Sequence, residues 1–222
     1  MKELASYIDH TILNADATIN DIKKVCEEAI KYRFASVCVN PYYVSRVKEM
    51  LSDKNIAITA VIGFPLGCTL KEVKAFEAKM AVNAGADELD MVLNIAALKN
   101  KEDQTVLEDI QSVVEASDGR VVKVIIETCL LNQEEKIKAC ELATRAGATF
   151  VKTSTGFSTG GATVEDVVLM KQHISTDMKV KASGGIRNYI KAREMIMAGA
   201  DRIGASASVA IVEQKKDKEE GY

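Results

Sequence analysis

One short phrase recurs three times along this chain: Ala84-Gly-Ala-Asp87, Ala146-Gly-Ala-Thr149 and Ala198-Gly-Ala-Asp201. Each copy sits between a stretch of helical periodicity and a compact apolar run. Its glycine suits a helix end, because glycine enters positive φ without a Cβ penalty. One αβ corner used three times points to a chain that alternates helix and strand throughout, and the hydrophobic periodicity agrees. It predicts strands over 7–13, 36–40, 56–62, 88–94, 121–127, 150–154, 180–183 and 202–205. Helices are predicted over 19–33, 44–51, from a cap at Thr69 to 83, over 102–116, 133–146, 164–174 and 188–198, and from 206 onward. Thr18 and Asn132 read as N-caps, and Thr69 with Glu72 has capping-box spacing. The strands read as continuous apolar runs, the mark of parallel strands covered on the outside. The prediction is an α/β fold: a single-domain (β/α)8 TIM barrel over 1–213, followed by a polar, mobile tail over 214–222. A doubly wound open sheet is the alternative.

At 222 residues the chain can bury a full core in one domain. Its net charge of -3 and scattered basic residues argue against a nucleic-acid surface. No apolar run approaches the roughly 20 residues that span a bilayer, and the Met1-Lys2-Glu3 start lacks a signal-peptide layout. A cytoplasmic protein with no membrane partner is expected. Cys26, Cys38, Cys68, Cys129 and Cys140 are odd in number and widely spaced, so neither a disulfide framework nor a zinc site is expected.

Barrel sites lie at the C-terminal ends of strands, and polar residues interrupt the apolar strands there: Asp9, Asn40, Asp90, Asn94, Glu127, Lys152 and Lys181. Lys152 lies in Phe150-Val-Lys-Thr-Ser-Thr-Gly156, and Lys181 lies at the matching point of Lys179-Val-Lys-Ala-Ser-Gly-Gly-Ile-Arg187. A primary amine attacks a carbonyl only when unprotonated, and a second cation nearby lowers its pKa. Asp90, on another strand, can shuttle protons. The plainer alternative is a pair of strand-end lysines, each matched by an aspartate. Thr155-Gly156, Gly184-Gly185 and Gly204-Ala-Ser206 follow consecutive late strands, where barrels bind phosphate through backbone amides, and Arg187 can add a cationic donor. His10 reads as a packing residue, His173 as surface and Cys38 as a small core residue.

These residues together resemble a known family. Val151-Lys-Thr-Ser-Thr-Gly156, Val180-Lys-Ala-Ser-Gly-Gly-Ile-Arg187, Gly85-Ala-Asp-Glu-Leu-Asp-Met-Val-Leu-Asn94 and Ile8-Asp-His-Thr11 resemble the deoxyribose-phosphate aldolases, class I aldolases built on a (β/α)8 barrel. The resemblance runs from Ile8 to about Ser206. It implies reversible cleavage of 2-deoxy-D-ribose 5-phosphate to D-glyceraldehyde 3-phosphate and acetaldehyde, with no metal or organic cofactor. By position it makes Lys152 the Schiff-base lysine, Lys181 the second lysine of the relay and Asp90 the acid/base carboxylate. It places Asp9, Thr11 and Cys38 near the substrate, and Gly156, Gly184, Gly185, Arg187, Gly204 and Ser206 in the phosphate cradle. Phe157 and Ala207 stand where some members carry a lysine and a serine, which thins the polar contacts to phosphate. Tyr222 matches a tail tyrosine that assists proton transfer in some members, and the family commonly assembles as homodimers or homotetramers. Other Schiff-base barrel enzymes, and a barrel that binds a phosphorylated ligand without turnover, are the competing readings.

Overall fold

A computed structural model describes residues 3–214. Eight parallel strands close into a barrel in sequence order: β1 (Ile8–Ile12), β2 (Ser36–Val39), β3 (Ala57–Ile62), β4 (Glu88–Val92), β5 (Val121–Ile125), β6 (Phe150–Lys152), β7 (Lys179–Ser183) and β8 (Arg202–Ala205). Closure is made by β1 against β8, with Ile8 opposite Ile203 and Asp9 opposite Gly204. Helices α1 (Ile19–Tyr32), α2 (Val44–Met50), α3 (Lys71–Ala84), α4 (Ile95–Lys99), α5 (Asp103–Ala116), α6 (Gln133–Arg145), α7 (Val164–Gln172), α8 (Tyr189–Met197) and α9 (Ser208–Val212) form the outer layer.

The three repeated corners share one geometry. Gly85, Gly147 and Gly199 have φ of 110°, 80° and 111°. In each, the next alanine donates its N–H back into the finished helix: Ala86 to Ala81, Ala148 to Ala143 and Ala200 to Met195. The residue after that donates its N–H to the preceding strand: Asp87 to Ile58, Thr149 to Val122 and Asp201 to Val180. The corner therefore ends a helix and registers the next strand in four residues.

Thr18 and Asn132 cap α1 and α6 with full capping boxes, through Asp21 and Glu135. The box expected at Thr69 does not form: α3 starts at Lys71 with Leu70 at its N-cap and no side-chain cap. Thr69 is one residue too early to reach the first free amides. α4 was not anticipated; Asn94, expected to end a strand, instead caps this short helix by accepting from Ala97 N–H.

The strands are buried on both faces but are not uniformly apolar. Outward positions such as Ile8, Val37, Ile58, Leu89, Val122, Val151, Val180 and Ile203 join the apolar core beneath the helices. The alternate positions point into the barrel and include Asp9, Ser36, Thr59, Glu88, Asp90, Lys123, Lys152 and Lys181, each less than a tenth exposed. The expectation of continuous apolar strands thus fails for the inner face. Polar residues are tolerated there because they satisfy one another across the barrel.

Candidate active site

The inner face gathers four cations and three carboxylates into one network: Lys123, Lys152, Lys181 and Arg202 with Asp9, Glu88 and Asp90. Register explains the convergence. Asp90 pairs with Lys123 across β4 and β5, Lys152 with Lys181 across β6 and β7, and Lys181 with Arg202 across β7 and β8. Neighbouring strands thus deliver their charges at nearly the same height.

Asp90 is the hub. Its Oδ2 accepts from Lys152 Nζ at 2.8 Å and from Lys181 Nζ at 2.7 Å, while its Oδ1 accepts from Lys123 Nζ at 2.7 Å. Burial works against its charge, but the three ammonium groups outweigh it and hold the carboxyl well below the usual carboxylate range. Lys181 also donates to Asp9 Oδ2 at 2.5 Å. Burial opposes its charge too, yet Asp9 and Asp90 raise its pKa well above that of an ordinary lysine. Lys152 differs. Burial lowers its pKa, Asp90 opposes this, Lys181 adds to it, and the net direction is downward. The expected like-charge effect is present but ranks below desolvation. A buried network with one more cation than carboxylate favours releasing one proton, and Lys152 is the amine held least firmly.

Lys152, though buried, is also the member that reaches the cavity at the barrel mouth. That cavity, of about 350 Å³, lies at the C-terminal end of the barrel. Thr11, Gly156, Gly184, Gly185, Arg187, Gly204 and Ser206 line the same cavity, as do Thr155, Phe157 and Ser183. The glycine turns after β6, β7 and β8 and Arg187 therefore converge on one space together with Lys152. Two of these glycines leave little room for a side chain. A Cβ on Gly184, which has φ +85°, would meet Gly161 Cα at 2.9 Å, and one on Gly204 would lie 3.0 Å from Lys181 Cε. Gly204 thus shapes the cavity and makes room for the lysine stem beneath it.

Other predicted residues lie elsewhere. Asp9 is fully buried under the floor, accepting from Lys181, from Ser36 Oγ at 2.7 Å and from Arg202 at 2.6 Å, so it positions Lys181 and does not line the cavity. Cys38 is buried among Leu13, Val61 and Phe64, and burial pushes its thiol up to about 11. Asn40 donates to Leu13 O at 3.2 Å, outside the network. Glu127 is buried in the left-handed region (φ 55°), where its carboxylate accepts from Thr155 N–H and from the Thr155 hydroxyl, holding the loop that carries Gly156. His10 is a satisfied packing residue between Ser208 Oγ at 2.9 Å and Glu28 at 2.7 Å. Phe157 stands at the mouth, edge-on to Phe64 with ring centroids 5.3 Å apart. Tyr222 and all but the first residue of the expected tail lie outside the described residues.

Lys123, Glu88 and Arg202 were missed in the sequence. Lys123 is fully buried and interrupts Val121-Val-Lys-Val-Ile125, the same signal that marks Lys152. Glu88 and Arg202 sit at strand starts, where charges are ordinary, and nothing local distinguishes them. In the fold Arg202 spans Asp9 and Glu88, and Lys123 spans Glu88 and Asp90.

Comparison with known proteins places this geometry. The chain matches the profile of the DeoC/LacD family aldolase over residues 4–217. It is 58% identical to a deoxyribose-phosphate aldolase of Clostridium tetani, covering 96% of this chain and 100% of that one. It is 59% identical to the Thermococcus kodakarensis deoxyribose-phosphate aldolase, covering 98% and 99%. A solved tetrameric deoxyribose phosphate aldolase from Aeropyrum pernix superposes with a TM-score of 0.89 at 36% identity, covering 96% of this chain and 91% of that one. A lysine-bearing barrel mouth, a full-length profile match and these relatives lead to one conclusion: the chain belongs to the DeoC/LacD family of aldolases.

Proposed function

We propose that this protein is a class I aldolase that cleaves 2-deoxy-D-ribose 5-phosphate reversibly to D-glyceraldehyde 3-phosphate and acetaldehyde, with Lys152 as the Schiff-base residue. The observation that carries this is the placement of Lys152: of the four cations in the network it alone lines the cavity, and among those four only its pKa is lowered.

In this reading the neutral Lys152 amine attacks C1 of the open-chain sugar, and loss of water gives an iminium. A base removes the proton of the C3 hydroxyl, the C2–C3 bond breaks, and its electron pair moves into the iminium as an enamine. Glyceraldehyde 3-phosphate leaves. Protonation of the enamine at C2 gives the iminium of acetaldehyde, and water releases it. Asp90 Oδ2, shared by Lys152 and Lys181, is the acceptor through which protons pass, and Lys181, fixed by Asp9, remains charged and keeps Asp90 ionised. Gly184, Gly185, Gly204, Ser206 and Arg187 hold the phosphate, while Phe157 offers it no charge. Thr11 faces the substrate hydroxyls.

The protein self-associates as a homodimer or homotetramer and works in the cytoplasm. Its described cysteines are all free, as a reducing compartment favours, and among the described residues no helix is long and apolar enough to cross a membrane. The test of the activity is a coupled assay for glyceraldehyde 3-phosphate released from deoxyribose 5-phosphate. Steady release that vanishes in Lys152→Ala supports the reading, and release that survives in that variant rejects it.

A further inference from the structure

We propose that Glu127 is a positioning residue that makes this enzyme prefer a phosphorylated sugar to its unphosphorylated counterpart, by fixing the loop after β6 so that the free Gly156 amide meets the phosphate. The inference rests on the aldolase reading above and adds the residue that orders one wall of the phosphate site. The three glycine turns are not held alike. The Gly184 carbonyl accepts from Ala162 N–H at 3.0 Å, and Gly204 lies within β8 opposite Asp9, so backbone contacts fix both. At the start of the β6 loop, Thr153 and Ser154 are tied to Ser183 of β7. Residues 155–157 make no backbone–backbone hydrogen bond among the described residues. Their polar anchor is one side chain.

Thr155 donates its N–H to the two Glu127 oxygens at 3.2 and 3.3 Å and its hydroxyl to Oε2 at 2.5 Å. With its hydrogen so committed, the Thr155 oxygen accepts from Phe157 N–H at 3.0 Å, a side-chain turn that closes over the residue between. That residue is Gly156, at φ 85°, lining the cavity. Its N–H donates to no protein group among the described residues and is left for a ligand oxygen. Glu127 is 2% exposed, and among the described residues its carboxylate is met by Thr155 and, at 4.0 Å, by the Cys129 thiol, with no cation paired to it. Burying such a carboxylate is costly, and φ 55° at a residue with a Cβ adds about 1–2 kcal/mol. Stability alone favours neither feature. A loop that must keep one shape accounts for both, because hydrogen bonds to a carboxylate are roughly twice as strong as neutral ones. Lys152, held by Asp90, and Gly156, held through Glu127, thus grip the two ends of one substrate: its aldehyde carbon and its phosphate.

The test compares acetaldehyde release from 2-deoxyribose 5-phosphate and from unphosphorylated 2-deoxyribose in the wild type, Glu127→Gly, Glu127→Gln and Thr155→Val. Glycine is the deletion of choice because it accepts φ 55° without strain. In Glu127→Gly, kcat/KM for the phosphorylated sugar should fall about 10- to 100-fold, chiefly through KM, the worth of one or two hydrogen bonds to a charged group. For the unphosphorylated sugar it should change less than about threefold, and reductive trapping of acetaldehyde on Lys152 should be unaltered, since the chemistry at the amine is untouched. Glu127→Gln keeps an acceptor for Thr155 and should recover most of the preference. Should Glu127→Gly fail to fold, Thr155→Val decides alone: it removes the hydroxyl between Glu127 and Phe157 and should lower the ratio of the two kcat/KM values in the same direction. Equal losses on both sugars, or a ratio unchanged in every variant, overturn the role of Glu127 while leaving the aldolase reading intact. A wild type that releases acetaldehyde from neither sugar overturns both.

Discussion

Lys152 and Lys181 are chemically identical side chains on adjacent strands, yet burial and partners drive their pKa values in opposite directions. Lys181 has two carboxylates within 2.7 Å, whereas Lys152 shares one with two other cations. Removing Lys181 takes a positive neighbour from Lys152 and leaves Asp90 to stabilise its ammonium, so the Lys152 pKa should rise. Activity falls as pH drops through that pKa. In Lys181→Leu the acid limb of kcat/KM should therefore move to higher pH and kcat should fall at least about 100-fold, roughly 3 kcal/mol of lost transition-state stabilisation; pH-rate profiles check both. Four of the network's residues, Asp9, Asp90, Lys152 and Lys181, were legible because each interrupts an apolar strand. Lys123 carries the same interruption, at the third place of a five-residue strand as Asp90 does, but no glycine-rich turn follows it to draw notice. Glu88 and Arg202 acquire meaning only when eight strands set them at one height, a non-local fact that no window of sequence contains.

At the level of elements, the sequence disclosed the strands and most helices because their apolar periodicity and caps are local. Helix starts were read well where a cap reaches its own third residue, as at Thr18 and Asn132, and poorly at Thr69, where the chain turns helical one residue later. The repeated glycine corners were legible from three copies of one phrase. Gly147 has open space around its missing Cβ apart from a Val114 contact at 3.9 Å, so Gly147→Ala isolates backbone strain at φ 80° and should cost about 1–2 kcal/mol in denaturant melts. Gly147→Asn should cost less, because asparagine tolerates the left-handed region. Gly204→Ala tests a different constraint: its Cβ would press on Lys181 Cε at 3.0 Å, so kcat should fall in steady-state assays while the melting temperature changes little.

Across the whole molecule, an inner face made of charge replaces the usual branched apolar filling, and stability becomes tied to pH. Asp9 and Asp90 titrate well below their unfolded values near 3.9, so the stability they contribute is present above about pH 4 and is lost as pH falls through their folded pKa values. Lys181 and Arg202 are shifted upward, so their contribution holds at all lower pH and is lost only in strong alkali. Asp90→Asn leaves Lys123 and Lys181 facing a neutral amide, and should lower stability by about 3 kcal/mol at neutral pH, or roughly 6–12 °C in melting temperature for a domain of this size. Lys152→Met removes the surplus cation and should melt at or above the wild type near pH 6, the mark of a residue retained for chemistry at a cost in stability; calorimetry on both variants separates the two effects. The barrel itself was foreseeable from alternation alone. Its polar interior was hidden because inward and outward positions interleave in strands of three to six residues.

All of this depends on an uncharged amine at Lys152 open to an aldehyde. The most direct measurement is borohydride reduction in the presence of acetaldehyde near neutral pH, followed by intact mass and peptide mapping. The account predicts a single stable ethyl adduct on Lys152, absent from Lys152→Ala and formed at higher pH in Lys181→Leu. An unchanged mass, or an adduct mapped to Lys181 or Lys123, would contradict it.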